Sequence, residues 1–246
     1  MDRFQGDCTY VTALYNIHTP DSRNHSALQN RIDLLCKLFL LHIKIIAFLD
    51  PEYTGLINET LYPNVKFIYR RLDTFLFWKK CHEKPLDLPT SRNTGKDTLE
   101  FLALMNTKIE FVKEGLEHSF TPIIGWIDGS IYHIVQDEEK VKTSLEKQAN
   151  VIDKIKVPGP NRLSPNAIPI DILANQIQWK FCGGIFQGKK ETIQRFYEKS
   201  LDVLDRWIER GRLTWEVNLW IEIANEEELF DWVYGDHNDS MLMLNE

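Results

Sequence analysis

Residues 10–17 and 43–49 form two short, largely apolar runs rich in β-formers. Between them Leu28, Ile32, Leu35 and Phe39 recur at the three-to-four-residue spacing that gives a helix one apolar stripe. The pattern predicts strand, helix, strand. Ser26 is placed to cap the helix, which should end near His42. Asp50-Pro51 should stop the second strand, because proline brings no N–H to the ladder. Residues 66–72 predict a third strand, with space for a short helix over 54–61. Residues 83–96, rich in Pro, Ser, Asn, Thr and Gly, predict a long loop. Asp97 and Glu100 make a capping-box-like start for a helix that carries Leu104, Met105, Lys108, Ile109 and Val112 and ends near Glu117. Residues 122–128 then run apolar with almost no alternation, as a strand buried on both faces does.

Strand and helix thus alternate through the first half, which predicts an α/β protein with a mainly parallel central sheet and helices on both faces. In such sheets ligands collect at the carboxyl ends of the strands. The polar stretch 18–25 lies at one such end, and Asp128 lies at another. The second half differs. Residues 137–150 predict a charged, exposed helix. Residues 157–169, with four prolines, predict a loop or crossover. Residues 178–188 predict a strand containing the pair Gly183-Gly184. Residues 191–210 predict an amphipathic helix that buries Ile193, Phe196, Leu201, Leu204 and Ile208 and is closed by Gly211. Thr214 should cap a further helix reaching about Ala224. A last strand over 229–234 and a polar tail follow.

Composition narrows the classes. Of 246 residues, 43% are hydrophobic and 26% charged, which fits a globular chain with a core large enough to fold without staples. The expected organisation is one domain over 1–246. The net charge of −7 argues against a nucleic-acid partner, since such binders gain affinity by neutralising phosphates. The pairs Arg70-Arg71 and Lys189-Lys190 could meet phosphates, although such pairs are more often a solvated surface. The four cysteines form no Cys-x-x-Cys pair and read as reduced thiols. Residues 34–49 are the most apolar stretch, but Lys37, His42 and Lys44 interrupt it, so no membrane span is expected. Residues 1–8 do not resemble a signal peptide, and the expected location is cytoplasmic. No P-loop, dinucleotide fingerprint or nucleophile elbow is present.

Five segments remain as candidates for chemistry. In Trp126-Ile127-Asp128-Gly129-Ser130 a carboxylate closes a buried strand, where it must be solvated, hydrogen-bonded or paired with a cation. The commoner role for such an Asp is to cap the turn. Asp236-His237-Asn238-Asp239 offers oxygen and imidazole together, a set that suits Mn²⁺ among hard ions, or else is simply a polar tail. Phe181-Cys182-Gly183-Gly184 lets a bulky ligand approach the backbone, or forms a bulge. Glu216 sits in a helix first turn, where the dipole favours its charge, and could serve as base for an acceptor hydroxyl. Trp215 beside it could stack on a sugar, though tryptophans are more often core. Lys108 could meet a diphosphate as a point charge, although a surface lysine is commoner.

In their order along the chain, residues 10–15, 102–108 and 126–128, then residues 182–186 and 214–216, resemble the HtrL/YibB-like family of glycosyltransferases. That resemblance implies a GT-A fold. A Rossmann-like nucleotide-binding half would span about 9–135, and an acceptor-side half with a metal or donor tail would span 136–246. It implies sugar transfer from a nucleotide-diphospho-sugar, such as a UDP-sugar, to a hydroxyl on a glycan, protein or small molecule, aided by Mn²⁺ or Mg²⁺. By resemblance, Thr12, Ala13 and Tyr15 would line the nucleotide pocket. Asn106, Lys108 and Asp128 would face the donor, with Gly183 and Gly184 close by. Asp128 would hold the metal, with His237 as a late ligand, and Glu216 would serve the acceptor side. Ser130 stands where the second carboxylate of an Asp-x-Asp motif would be, and a hydroxyl is a far weaker ligand. Two alternatives stay open: a metal-dependent phosphoester or nucleotide hydrolase using Asp128 and His237, and a non-catalytic nucleotide-sugar-binding protein.

Overall fold

A computed structural model of the chain describes residues 8–17, 24–119, 121–151, 153–162 and 167–245, with the backbone alone for 24–27. Most of the polar stretch expected at 18–25 lies outside the described residues.

Among the described residues the alternating pattern builds one mixed sheet of seven strands in the order β3-β2-β1-β4-β6-β5-β7. β1 (Cys8–Leu14) lies between β2 (Lys44–Leu49) and β4 (Ile123–Ile127), and β2 carries β3 (Val65–Tyr69) on its other side, all parallel. β6 (Ile185–Lys189) runs against β4 and against β5 (Ile155–Gly159). β7 (Phe230–Tyr234) then pairs parallel with β5. Successive side chains of each central strand point to opposite faces, and both faces are apolar. Val11, Ile46, Phe48, Ile124 and Trp126 join one buried cluster, while Tyr10, Ile45, Ala47, Ile123 and Ile127 join the other. Each Val, Ile or Phe among them contributes roughly 1.5–3 kcal/mol on full burial, so the register of these strands is strongly fixed.

Helices cover both faces. α1 (Asn24–Phe39) and α4 (Glu138–Leu145) flank one face. Against the other lie α2 (Leu76–His82), α3 (Leu99–Gly115), α6 (Lys190–Glu209) and α7 (Glu216–Glu226), and the short α5 (Ile170–Asn175) joins the same side. α6 buries Ile193, Phe196, Leu204 and Ile208 as its periodicity predicts, and Gly211 ends it at a positive φ of 72°. Among the described residues no helix is long and apolar enough to cross a membrane. None of the four cysteines forms a disulfide.

Several expectations need correction. α1 starts at Asn24, so Ser26 lies within it rather than at its cap. Residues 54–61 hold no α-helix, only a single helical turn over Glu59–Leu61. α3 is capped by Thr98, whose hydroxyl accepts from the Phe101 N–H, while Asp97 accepts from the Asn93 N–H and closes the preceding loop. Residues 155–159 form β5 despite Pro158. Its pairing with β6 is confined to Lys156, so the missing N–H leaves no ladder position empty, and the Pro158 carbonyl accepts from the Cys182 N–H instead. The expected strand over 178–188 is regular only from Ile185 onward. Trp215, not Thr214, caps α7, and the Thr214 hydroxyl donates to the Leu173 carbonyl. The tail is not merely polar, for it buries Met241, Leu242 and Leu244.

Candidate functional site

In the order β3-β2-β1-β4 the chain moves one way from β1 to reach β2 and β3, then crosses to the other side for β4. The crevice at the carboxyl ends of β1 and β4 is therefore the switch point of the sheet. A cavity of about 410 Å³ lies there. Ala13, Leu14 and Tyr15 line it from the end of β1, and Trp126, Asp128, Gly129 and Ser130 line it from the end of β4. A second cavity of about 360 Å³ adjoins it, lined by Gly183, Gly184, Trp215, Glu216, Trp179 and His237 among others. Lys96, Phe101, Met105, Lys108, Asp128 and His133 line both.

Lys108 is the hinge of this arrangement. Its helix brings it to the boundary of the cavities, and its side chain is only 3% exposed. The ammonium lies 3.1 Å from Asp128 Oδ1 and 3.0 Å from Glu216 Oε1, and it donates to the Gly183 carbonyl at 2.9 Å. All three of its N–H donors are thus engaged. Burial opposes the charge, but Asp128 and Glu216 outweigh burial and hold the ammonium above the ordinary lysine range. Lys108 also sits 5.8 Å from the centre of the Trp126 ring.

The neighbours of this cluster hold it in place. The Trp126 indole donates to Asp128 Oδ1 at 2.7 Å, and the Asp128 N–H donates to the Gly184 carbonyl. Tyr15, Phe111 and Trp126 stack in sequence, at 5.7 Å and 5.9 Å between centres, beside the first cavity. The Tyr15 hydroxyl donates to the Arg70 carbonyl, and burial pushes its pKa well above the ordinary tyrosine value. Glu216 opens α7, whose start is tied down from α3: the Asn106 amide donates to the Thr214 and Leu102 carbonyls. A Cβ on Gly183 would land on the Glu216 carboxylate, so only glycine lets the two approach.

The sequence candidates divide accordingly. Ala13, Tyr15, Lys108, Asp128 and Ser130 line the first cavity, and Lys108, Asp128, Gly183, Gly184, Glu216 and His237 line the second. Asn106 lines neither cavity, because its amide is engaged in holding α7. Thr12 is fully buried beside Gly129 and lines neither cavity. Of the run 236–239 only His237 lines the second cavity. Its ring meets Trp179 edge-on at 4.5 Å, while Asp239 accepts from the N–H groups of Gln136 and Asp137. Arg70 pairs with Glu114, Arg71 with Asp73 and Lys189 with Asp153, and Lys190 donates to the Ser119 carbonyl.

The three expected metal ligands do not form a converging set. Asp128 stands between the cavities, Ser130 lines only the first and His237 only the second. Among the described residues no group of three His, Cys, Asp or Glu side chains could hold an ion. The position between Asp128 and Glu216 is taken by the Lys108 ammonium. Asn218 and Trp179 were not anticipated. Asn218 has a visible signal, being a polar residue on an apolar helix two positions after Glu216.

No protein-family model matches the chain, and no curated protein matches it in sequence. Solved structures align with most of it at low identity. One is a 4-diphosphocytidyl-2C-methyl-D-erythritol synthase from Anaerococcus prevotii, at 13% identity and a TM-score of 0.42, covering 96% of this chain and 92% of that one. Another is a mannose-1-phosphate geranyltransferase from Thermus thermophilus, at 12% identity and 0.38, covering 92% and 74%. A third is HddC from Yersinia pseudotuberculosis, at 12% and 0.38, covering 92% and 89%. The HtrL/YibB-like resemblance rests on the order of the sequence motifs alone.

Proposed function

We propose that the protein is a glycosyltransferase that moves a sugar from a nucleotide-diphospho-sugar to an acceptor hydroxyl. The observation that carries this reading is the pair of adjoining cavities that meet at Lys108 and Asp128, with Glu216 on the far side. A transferase needs two ligand spaces with one shared wall, and the switch point of a parallel sheet is where nucleotides bind. The donor takes the first cavity, where Arg31 and Lys96 meet the charge of its diphosphate. The acceptor takes the second.

Glu216 is the base. It lines the second cavity and not the first, and the ion pair with Lys108 and its place at the start of α7 hold it in position. It takes the proton of the acceptor hydroxyl as that oxygen bonds to the anomeric carbon. The bond from that carbon to the phosphate oxygen breaks, and the nucleoside diphosphate leaves. Such direct displacement inverts the anomeric centre. Asp128, at the shared wall, orients the transferring sugar through Oδ2, since Oδ1 already accepts from Lys108 and Trp126. The side chains present do not fit the expected Mn²⁺ or Mg²⁺ site.

The test is thermal stabilisation by UDP-glucose, UDP-N-acetylglucosamine, GDP-mannose and ADP-glucose, each with and without Mn²⁺. A ligand at a hundredfold over its Kd adds about 2.7 kcal/mol, or about 5–10 °C in a chain of this size. At least one should do so, and Asp128→Ala should lose most of the shift. Absence of any shift under both conditions refutes the reading. Release of nucleoside diphosphate at the same rate with and without acceptors would favour the hydrolase alternative.

A further inference from the structure

Trp179 is 42% exposed at the second cavity, although most large apolar side chains of this chain are buried. An exposed tryptophan on a loose segment would mean little, but this segment is tied on both sides. The Asn218 amide donates to the Gln176 carbonyl and its oxygen accepts from the Gln178 N–H. The Trp179 carbonyl accepts from Asn161, and the Lys180 carbonyl accepts from the Trp232 indole. The ring itself is braced edge-on by His237 at 4.5 Å. The backbone is thus fixed by hydrogen bonds from three separate parts of the chain while the indole is left open to solvent.

The rest of the cavity wall gives the chemistry of the ligand. Asn93, Asp97, Asp128 and Glu216 supply amide and carboxylate oxygens, and Lys96 lies where the two cavities join. Carboxylates and amides are acceptors suited to hydroxyl donors, and they oppose an anionic ligand. A flat aromatic face beside such groups matches a molecule with an apolar C–H face and a rim of hydroxyls. We infer that the second cavity binds a neutral carbohydrate, with Trp179 as the platform on which one sugar ring stacks. A pre-fixed ring lowers the ordering cost of such a stack. The inference rests on the proposed assignment of the first cavity to the donor, and it names the acceptor as a glycan rather than a protein or lipid hydroxyl.

The experiment follows the indole N–H resonances of the ¹⁵N-labelled protein during titration with cellotriose and chitotriose, and with a neutral Ser/Thr-containing peptide as the rival class. The resonance missing from Trp179→Phe assigns Trp179. A trisaccharide should move that resonance, Trp179→Ala should weaken its binding about tenfold, and Trp179→Phe should stay close to wild type. The stabilisation by nucleotide-sugar should be the same in all three proteins, because Trp179 does not line the first cavity. The inference is overturned if neither trisaccharide moves the Trp179 resonance, if the peptide alone does, or if Trp179→Ala binds as well as wild type. A protein that binds a trisaccharide at Trp179 but no nucleotide-sugar would instead sink the donor assignment.

Discussion

Lys108→Met leaves two carboxylates facing each other with no cation between them. The substitution keeps the length and apolar stem of the side chain, so the change is mainly one of charge. Glu216 is the worse placed of the two, at 8% side-chain exposure against 30% for Asp128. Asp128 can recover more of its solvation from the cavities than Glu216 can. Removing one partner of a buried ion pair costs about 3–5 kcal/mol, and with Asp128 partly open the expected loss is about 4 kcal/mol. Urea titration at pH 7 should show it as a lower midpoint at unchanged slope. Adding Glu216→Gln to Lys108→Met removes the orphaned charge and should restore about half the loss, a coupling that independent sites would not show. The pH dependence has a definite sign. The folded state holds the Lys108 proton more tightly than the unfolded chain does. Its contribution is therefore complete below the unfolded value of about 10.4 and is lost as pH rises through the folded value. The gap between wild type and Lys108→Met should be flat from pH 7 to 10 and narrow above that. A loss below about 1 kcal/mol, or a double variant no more stable than the single one, would refute the account of Lys108 as the strut of the site.

Two further outcomes follow from neighbouring geometry. Gly183→Ala should cost about 1–3 kcal/mol, because the added methyl lands on Glu216 and forces it off Lys108; urea midpoints would show it, and a neutral result would mean Glu216 is not held there. Burial pushes the Cys81 and Cys182 thiols up to about 12, so a thiol-exchange reagent at pH 8 should label the partly exposed Cys36 well before either of them in the native protein, with all four reacting in denaturant.

The sheet was legible because its central strands are apolar on both faces and end in visible breaks. Asp128 was legible for the same reason, as the carboxylate that terminates such a run. Glu216 and Lys108 were legible singly but not as a pair, since they lie 108 residues apart and only the packing of α7 on α3 joins them. Asn106 shows the converse. The family resemblance set it beside Lys108 facing the donor, yet on a helix a two-residue spacing turns the two side chains some 200° apart. Residues 157–169 were read as a loop or crossover because proline outweighs pattern in a sequence, while in the sheet residues 157–159 close β5 and Pro158 falls where β6 has ceased to pair. Trp179 gave no signal at all, because its exposure depends on hydrogen bonds from Asn218, Asn161 and Trp232, none of them near it in sequence.

The most direct test of the central claim is a crystal of the protein soaked with whichever nucleotide-sugar stabilises it most. The account predicts density in the cavity between the ends of β1 and β4, with the diphosphate toward Arg31 and Lys96 and the sugar against Asp128. Nucleotide density in the Trp179 cavity, or outside both cavities, would contradict it.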